Sequence, residues 1–253
     1  MGNLHGGHLA LIERARSLAE IVVLSIFVNP IQFNNQEDYT SYPKTLEHDL
    51  KLSAQYGVDY VFVPEETVIY PPAMHPVLID IPGLTQILEG KYRPGHFAGV
   101  LTIINILFNL IRPHYAVFGE KDFQQLLLVT MMTEQLHIST SIISIPTIRE
   151  NNGLAMSSRN VHLSAPEKIK AGQIYQILIK TRDTLQHGIN KFTELNRQGT
   201  EYLEAQGFKV DYFNIVSGNS LSAAKPEDTF LVILVACHLG KTRLIDSMIC
   251  RRK

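Results

Sequence analysis

The chain alternates short, continuous apolar runs with longer stretches whose apolar positions recur at helical spacing. Residues 21–28 read IVVLSIFV and end at Asn29-Pro30. A β-branched run of that kind predicts a strand buried on both faces of a parallel sheet. Residues 60–63 and 115–118 look alike, and residues 138–145 (ISTSIISI) give a fourth candidate. Helical patterns fall between these runs, at residues 8–19, 43–56, 98–111 and 122–136. The alternation predicts a doubly wound α/β domain. Pro43 suits a first helical position, Gly57 a C-terminal cap, Pro113 a stop and Asp122 an N-cap.

From residue 146 to 166 the pattern dissolves into PTIRENNGLAMSSRNVHLSAP, too rich in Asn, Ser, Gly and Pro for one regular element. A domain border is expected at its start, dividing the chain into residues 1–146 and 147–253. Beyond it, helical patterns at residues 166–186 and 191–206 precede apolar strands at 209–216, 230–236 and 242–249. These predict a smaller α+β domain. The terminal Arg251-Arg252-Lys253 reads as a solvated tail.

Composition narrows the class. Hydrophobic residues make up 45% and charged residues 19% of 253, values of ordinary globular chains. With 23 Lys and Arg against 24 Asp and Glu the net charge is -1, which provides no field for holding nucleic acid. The longest apolar run, residues 100–111, is interrupted by Asn105 and Asn109 and falls short of the ~20 residues that span a bilayer, so no membrane partner is expected. The N-terminus lacks the basic opening and apolar core of a secretory signal. Two cysteines, Cys237 and Cys250, do not read as a disulfide framework and fit a reducing, cytoplasmic setting.

The candidate chemistry gathers at element ends. His5-Gly6-Gly7-His8 opens the first helical pattern, where unpaired backbone N–H groups and the positive helix end favour an anion. Two imidazoles there add donors, although the tetrapeptide also fits a metal pair or two surface histidines. Phe27 and Asn29-Pro30-Ile31-Gln32 close a strand at the edge where ligands bind in open α/β sheets. The neutral amides suit hydroxyl and carboxylate oxygens, and an Asn-Pro turn with a solvated Gln is the plainer alternative. Arg93-Pro94-Gly95-His96 feeds another helix, with Arg93 able to grip a carboxylate or phosphate bidentately. Gly119-Glu120-Lys121-Asp122 follows a strand, which directs Lys121 to the same crevice and gives Asp122 a ribose hydroxyl or a helix to cap. Met156-Ser157-Ser158-Arg159 lies in the polar stretch, where two hydroxyls and a guanidinium can wrap a polyphosphate or simply be solvated. Asp49 offers one carboxylate to Mg²⁺, or a solvated helix face.

Taken in order, MGNLHGGH, SIFVNPIQF, YRPGHFAGV, VFGEKDFQQ and MSSRN resemble the pantothenate synthetase family. The first element resembles the HIGH signature of the wider nucleotidyltransferase superfamily, and MSSRN stands where its KMSKS-like loop stands. The resemblance implies a Rossmann-like N-terminal domain, a smaller C-terminal lid domain and a homodimer. It implies condensation of pantoate with beta-alanine through a pantoyl-adenylate, with ATP and Mg²⁺. By motif, His5 and His8 would contact the phosphates, and Lys121, Ser157, Ser158 and Arg159 would hold the triphosphate. Gln32 and Gln125 would hold pantoate, with Phe27 and Asn29 shaping its pocket and Arg93 and His96 bordering it. Gly119, Asp122 and Met156 would lie near the nucleotide, Met1 on the pocket, and Asp49 at the Mg²⁺. Family members also carry a first strand ahead of the Met that opens this chain. Its absence would leave two strands of the central sheet with unpaired edges and uncover apolar surface. Two other readings stay open: a nucleotidyltransferase acting on a phosphorylated acceptor, which would need cations in place of Gln32 and Gln125, and a catalytically silent nucleotide binder or dimeric scaffold.

Overall fold

The computed structural model describes residues 2–35, 39, 40 and 42–252. Two compact units emerge, Met1–Gly119 with Gln124–Ile145, and Glu120–Phe123 with Pro146–Lys253.

In the first unit α1 (Gly6–Leu18) leads to β1 (Val23–Ser25), and α2 (Leu46–Gln55) to β2 (Tyr60–Phe62). Two short helices, α3 (Glu66–Ile69) and α4 (Glu89–Tyr92), come before α5 (His96–Ile111) and β3 (Tyr115–Gly119). A 3₁₀ turn that belongs to the second unit, Glu120–Asp122, follows β3 in the chain and leads into α6 (Phe123–Gln135), after which comes β4 (Ser141–Ile145). β1 pairs with β2, and β3 with β4, both in parallel. Helices between parallel strands are the doubly wound α/β pattern expected of the sequence. Its core forms where α5 meets α6: Phe97, Leu101 and Phe108 pack with Leu128, Val129 and Met132. α5 stops at Arg112, whose left-handed backbone (φ 52°) and following Pro113 cannot continue a helix.

The four parallel strands form two separate two-stranded sheets. In a parallel ladder alternate residues turn both backbone groups toward the same neighbour. Val22 O and Ile26 N bond toward β2, so Val23 and Ser25 turn theirs away from it. On that side lies a cavity of about 460 Å³, bordered by β1, β3, α1 and the end of α5. This corrects the expected strand. Residues 21–28 supply only three strand residues, and Ile21 (62% exposed) and Val23 (38%) are not buried on both faces, because the second edge of β1 has no pairing strand among the described residues. Pro43 is also corrected: α2 begins at Leu46, and Pro43 lies in the approach to it.

Beyond Pro146 the second unit carries a 3₁₀ turn (Ser158–His162), then α7 (Ala165–Ala171), α8 (Gln173–Gln186) and α9 (Phe192–Ala205). The single helix expected over 166–186 breaks at Gly172, which ends α7 and opens α8. β5 (Lys209–Ser217), β6 (Phe230–Leu239) and β7 (Thr242–Arg251) make an antiparallel sheet with β6 in the centre. Residues 231–237 of β6 are all buried, and Leu231, Ile233, Val235 and Cys237 pack with Leu178, Leu185 and Leu203 of the helices. The terminal arginines are no solvated tail. Arg251 stacks on Phe230, and Arg252 donates to the carbonyls of Asp228, Pro226 and Lys225. Lys253 lies outside the described residues.

Two measurements check this architecture. In amide hydrogen exchange, Val23 and Ser25 should exchange well ahead of Leu24 and Ile26; equal protection would mean that the outer edge of β1 is paired. The second concerns Asp59, whose Oδ2 accepts from Val22 N at 2.7 Å and from Arg16 Nη1 at 2.7 Å. The Val22 amide first, then Arg16, holds its carboxyl below the usual value of 3.8. A depressed folded value stabilises above the unfolded pKa and is lost as pH falls through the folded one. Asp59→Asn should therefore lower the melting temperature at neutral pH, with the gap to the parent chain closing as pH falls below the ordinary carboxylate range. A gap that persists there would rule out this role.

Candidate active site

The turn into α1 is held from beneath. Gly2 and Asn3 are both left-handed (φ 86° and 53°). This presents the successive N–H groups of Asn3 and Leu4 to the Asp49 carboxylate at 2.8 Å each. Thr45 Oγ1 adds a third donor at 3.1 Å. Asp49 is fully buried, with both oxygens engaged. Read from the sequence as a Mg²⁺ ligand or as part of a solvated helix face, Asp49 is not solvated: its oxygens face the backbone of the turn into α1. Among the described residues no group of three His, Cys, Asp or Glu side chains could hold a metal ion.

His5 and His8 form a reciprocal cap. His5 is the N-cap of α1, its Nδ1 accepting from Gly7 N at 3.1 Å, while His8 Nδ1 accepts from His5 N at 3.3 Å. Imidazoles here take the places that Ser and Glu hold in an ordinary capping box. Since each Nδ1 accepts, each neutral ring carries its proton on Nε2. The rings lie 4.0 Å apart and 39° from coplanar. Two N–H donors thus stand at the positive end of a 13-residue helix, a setting that favours an anion.

The amides after β1 belong to a second cluster. Asn29 (1% exposed) donates to Gly99 O at 3.0 Å and Gln32 Oε1 at 3.2 Å, and its Oδ1 accepts from Tyr70 OH at 2.8 Å. Burial, helped by Glu66, pushes the Tyr70 phenol up to about 12, so it remains a donor. Gln32 O meets His96 Nδ1 at 2.9 Å, and Arg93 Nη1 meets His96 Nε2 at 2.9 Å. Arg can only donate, so His96 carries its proton on Nδ1. A Cβ on Gly99 would sit 2.6 Å from Gln32 Cα, so only Gly lets α5 approach this turn. Phe27 lies 6.4 Å from the Tyr70 ring. On α6, Gln124 donates to Leu84 O and Ile87 O and accepts from Glu89 N. The adjacent half-buried Gln125 has no such bond among the described residues. Sequence reading missed both Tyr70 and Gln124; the doubled Gln after Phe123 was the available signal for the latter. Gly119 ends β3 with open space where a Cβ would stand.

In the second unit, Lys121 lies on the 3₁₀ turn 3.7 Å from Asp122, mostly shielded. The N-cap expected of Asp122 is replaced by that turn, which runs straight into α6. Met156, Ser157, Ser158 and Arg159 are half-buried. Ser157 Oγ caps the next turn by accepting from Arg159 N at 3.3 Å, and Asn160 Nδ2 donates to Glu150 Oε1 and Ala155 O. The stretch read as irregular is thus pinned at both ends. Met1 lies outside the described residues.

Comparison with known proteins bears on these residues. The family model described as Pantoate-beta-alanine ligase matches residues 1–249. The pantothenate synthetase of Nitrosococcus oceani is 46% identical over 98% of this chain and 87% of its own length. That of Methylococcus capsulatus is 43% identical over the same shares. The crystal structure of pantothenate synthetase from Thermus thermophilus superposes with a TM-score of 0.92 at 42% identity, covering 98% of this chain and 90% of that one. A Francisella tularensis pantoate-beta-alanine ligase, crystallised with beta-gamma ATP and beta-alanine, gives 0.79 at 37% identity, covering 98% and 87%.

The amide cluster is open to test through its tightest contact. Gly99→Ala should cost about 1–3 kcal/mol, the usual penalty of forcing a methyl against fixed backbone. Thermal unfolding measures it, and an unchanged melting temperature would show that α5 does not press on the Gln32 turn as described.

Proposed function

Because the chain belongs to the pantoate-beta-alanine ligase family, we propose a division of labour among its residues for the reaction of that family. The protein is an ATP-dependent, AMP-forming ligase that condenses pantoate with beta-alanine. A pantoate carboxylate oxygen attacks the α-phosphorus of ATP, the bond from that phosphorus to the α,β-bridging oxygen breaks, and pyrophosphate leaves. The beta-alanine amine then attacks the acyl carbon, AMP departs with the electron pair of the C–O bond, and the amine sheds a proton. No protein nucleophile takes part.

The observation that carries the assignment of roles is the paired-imidazole cap of α1. It supports His5 and His8 as donors to ATP phosphates, fixed in orientation before ligand arrives. Lys121, Ser157, Ser158 and Arg159 hold the triphosphate and offset the charge that develops on the leaving pyrophosphate. Gln32 and Gln125 bind pantoate, a role supported by neutral amides, since a phosphorylated acceptor would call for cations there. Phe27 and Asn29 shape that pocket, and Arg93 and His96 border it. Gly119, Asp122 and Met156 lie along the nucleotide. Mg²⁺ travels with the ATP phosphates, a reading supported by the engagement of Asp49 elsewhere. The protein acts as a homodimer in the cytoplasm, as the family resemblance implies, and the unpaired, buried Cys237 and Cys250 support a reducing compartment. No helix of the described residues is long and apolar enough to cross a membrane.

Pantoate-dependent exchange of labelled pyrophosphate into ATP, without beta-alanine, tests the first half-reaction alone. The chain should catalyse it, and Lys121→Ala should slow it by roughly 10²–10³-fold, the usual cost of losing one preorganised charge-stabilising donor. Formation of ADP, or exchange independent of pantoate, would overturn the reading.

A further inference from the structure

One acid interrupts the apolar strand TRLIDSMIC of β7: Asp246, 4% exposed. Arg149 meets it as a fork, Nη1 to Oδ2 at 2.6 Å and Nη2 to Oδ1 at 3.0 Å. The guanidinium lies 4.1 Å over the Tyr175 ring and gives a further bond, at 3.0 Å, to Gly153 O. Burial pushes the Asp246 carboxyl up while Arg149 pulls it down. A buried pair of this kind is a poor source of stability, because desolvation offsets most of the Coulomb attraction.

Its connections point to another use. Arg149 bridges Ala155 in antiparallel fashion, and Met156 N donates to Ile148 O at 2.9 Å, so the arginine stands at the base of the hairpin whose outgoing arm is Met156-Ser157-Ser158-Arg159. Gly153 turns that hairpin (φ 91°) with Tyr175 packed where a side chain would stand. On its other side Asp246 Oδ1 accepts from Ser247 N at 2.7 Å, and Ser247 Oγ donates to Glu120 O, the carbonyl directly before Lys121. The ion pair is therefore linked on one side to the hairpin that leads into Met156-Ser157-Ser158-Arg159, and on the other, through Ser247, to the carbonyl that precedes Lys121.

We propose that the Arg149–Asp246 pair is a positioning device, fixing the Ser157-Ser158-Arg159 loop and Lys121 at a set separation for the pyrophosphate portion of ATP. This rests on the roles assigned under Proposed function. The pair touches no substrate; it acts through Gly153 and Ala155 on one branch and through Ser247 on the other.

The test compares the parent chain with Asp246→Asn, Arg149→Lys and Ser247→Ala in pyrophosphate exchange, and separately in the release of AMP when beta-alanine is added to pre-formed pantoyl-adenylate. Asp246→Asn should raise KM for ATP in exchange by roughly 10–100-fold, the scale on which a small misplacement acts. KM for pantoate and the beta-alanine step should stay within about twofold of the parent. Ser247→Ala, which keeps the ion pair and frees only the Lys121 branch, should raise KM for ATP by less. Arg149→Lys, which keeps the charge and loses the fork, should resemble Asp246→Asn. Unchanged KM for ATP in folded Asp246→Asn and Ser247→Ala overturns the proposal, and so does a parallel loss of both half-reactions in Ser247→Ala. Failure of the parent chain to exchange would instead strike the functional reading itself.

Discussion

A buried carboxylate decides how this chain enters its first helix. Asp49 has no exposure to solvent and takes the N–H groups of Asn3 and Leu4 together with the Thr45 hydroxyl. The left-handed backbone at Gly2 and Asn3 points those amides inward, a conformation free for glycine and held at Asn3 by the bonds to Asp49. Everything downstream inherits the geometry. His5 can cap α1 only because the turn delivers it to the N-cap in extended form, and His8 can return the bond only because it falls three residues later on the helix. A residue that reads as a metal ligand thus serves the site at one remove, by aiming the backbone that carries the histidines.

The amide cluster obeys the same economy of buried polar groups. Asn29 sits at a strand end where its own backbone has left the sheet, and its side chain finds partners from three different parts of the unit: Gly99 from α5, Tyr70 after α3, Gln32 from the turn beside it. Leaving any of these unmade inside protein costs more than the bond is worth when formed, so the cluster is satisfied together or fails together. His96 extends it to Arg93 with one allowed tautomer. The result is a preformed polar surface rather than a set of independently mobile side chains.

Much of this was legible in the sequence, and the misses share a cause. Continuous β-branched runs announced the parallel strands, and helical periodicity placed α1, α5, α6 and α9 to within a few residues of their ends. Local signals failed where a tertiary partner overrode them. Pro43 looks like a helix start, yet the helix waits until Leu46, since Thr45 turns its hydroxyl to Asp49. Asp122 looks like a cap, but a 3₁₀ turn carries the chain into α6. Arg252 looks solvated, but its guanidinium closes the loop at residues 225–228. The Arg149–Asp246 pair lies 97 positions apart in sequence, so no window could join its members. Only the oddity of an acid inside an apolar strand marked one of them.

The two units also differ in how completely their sheets are closed. β5, β6 and β7 are nine or ten residues long, pair along nearly their whole length and bury the central strand. β1 and β2 have three residues each and, among the described residues, pair only with one another, and no described strand lies between β1 and β3, which border a common cavity. Stability in a protein is distributed according to such local closure: segments with few buried contacts and open backbone groups unfold at lower cost than those sealed into a core. The chain from β1 to Asn29 and Gln32 therefore runs from a sparsely closed strand directly into a tightly bonded polar cluster. The buried bonds of Asn29, more than the sheet pairing of β1, must hold that strand end in place.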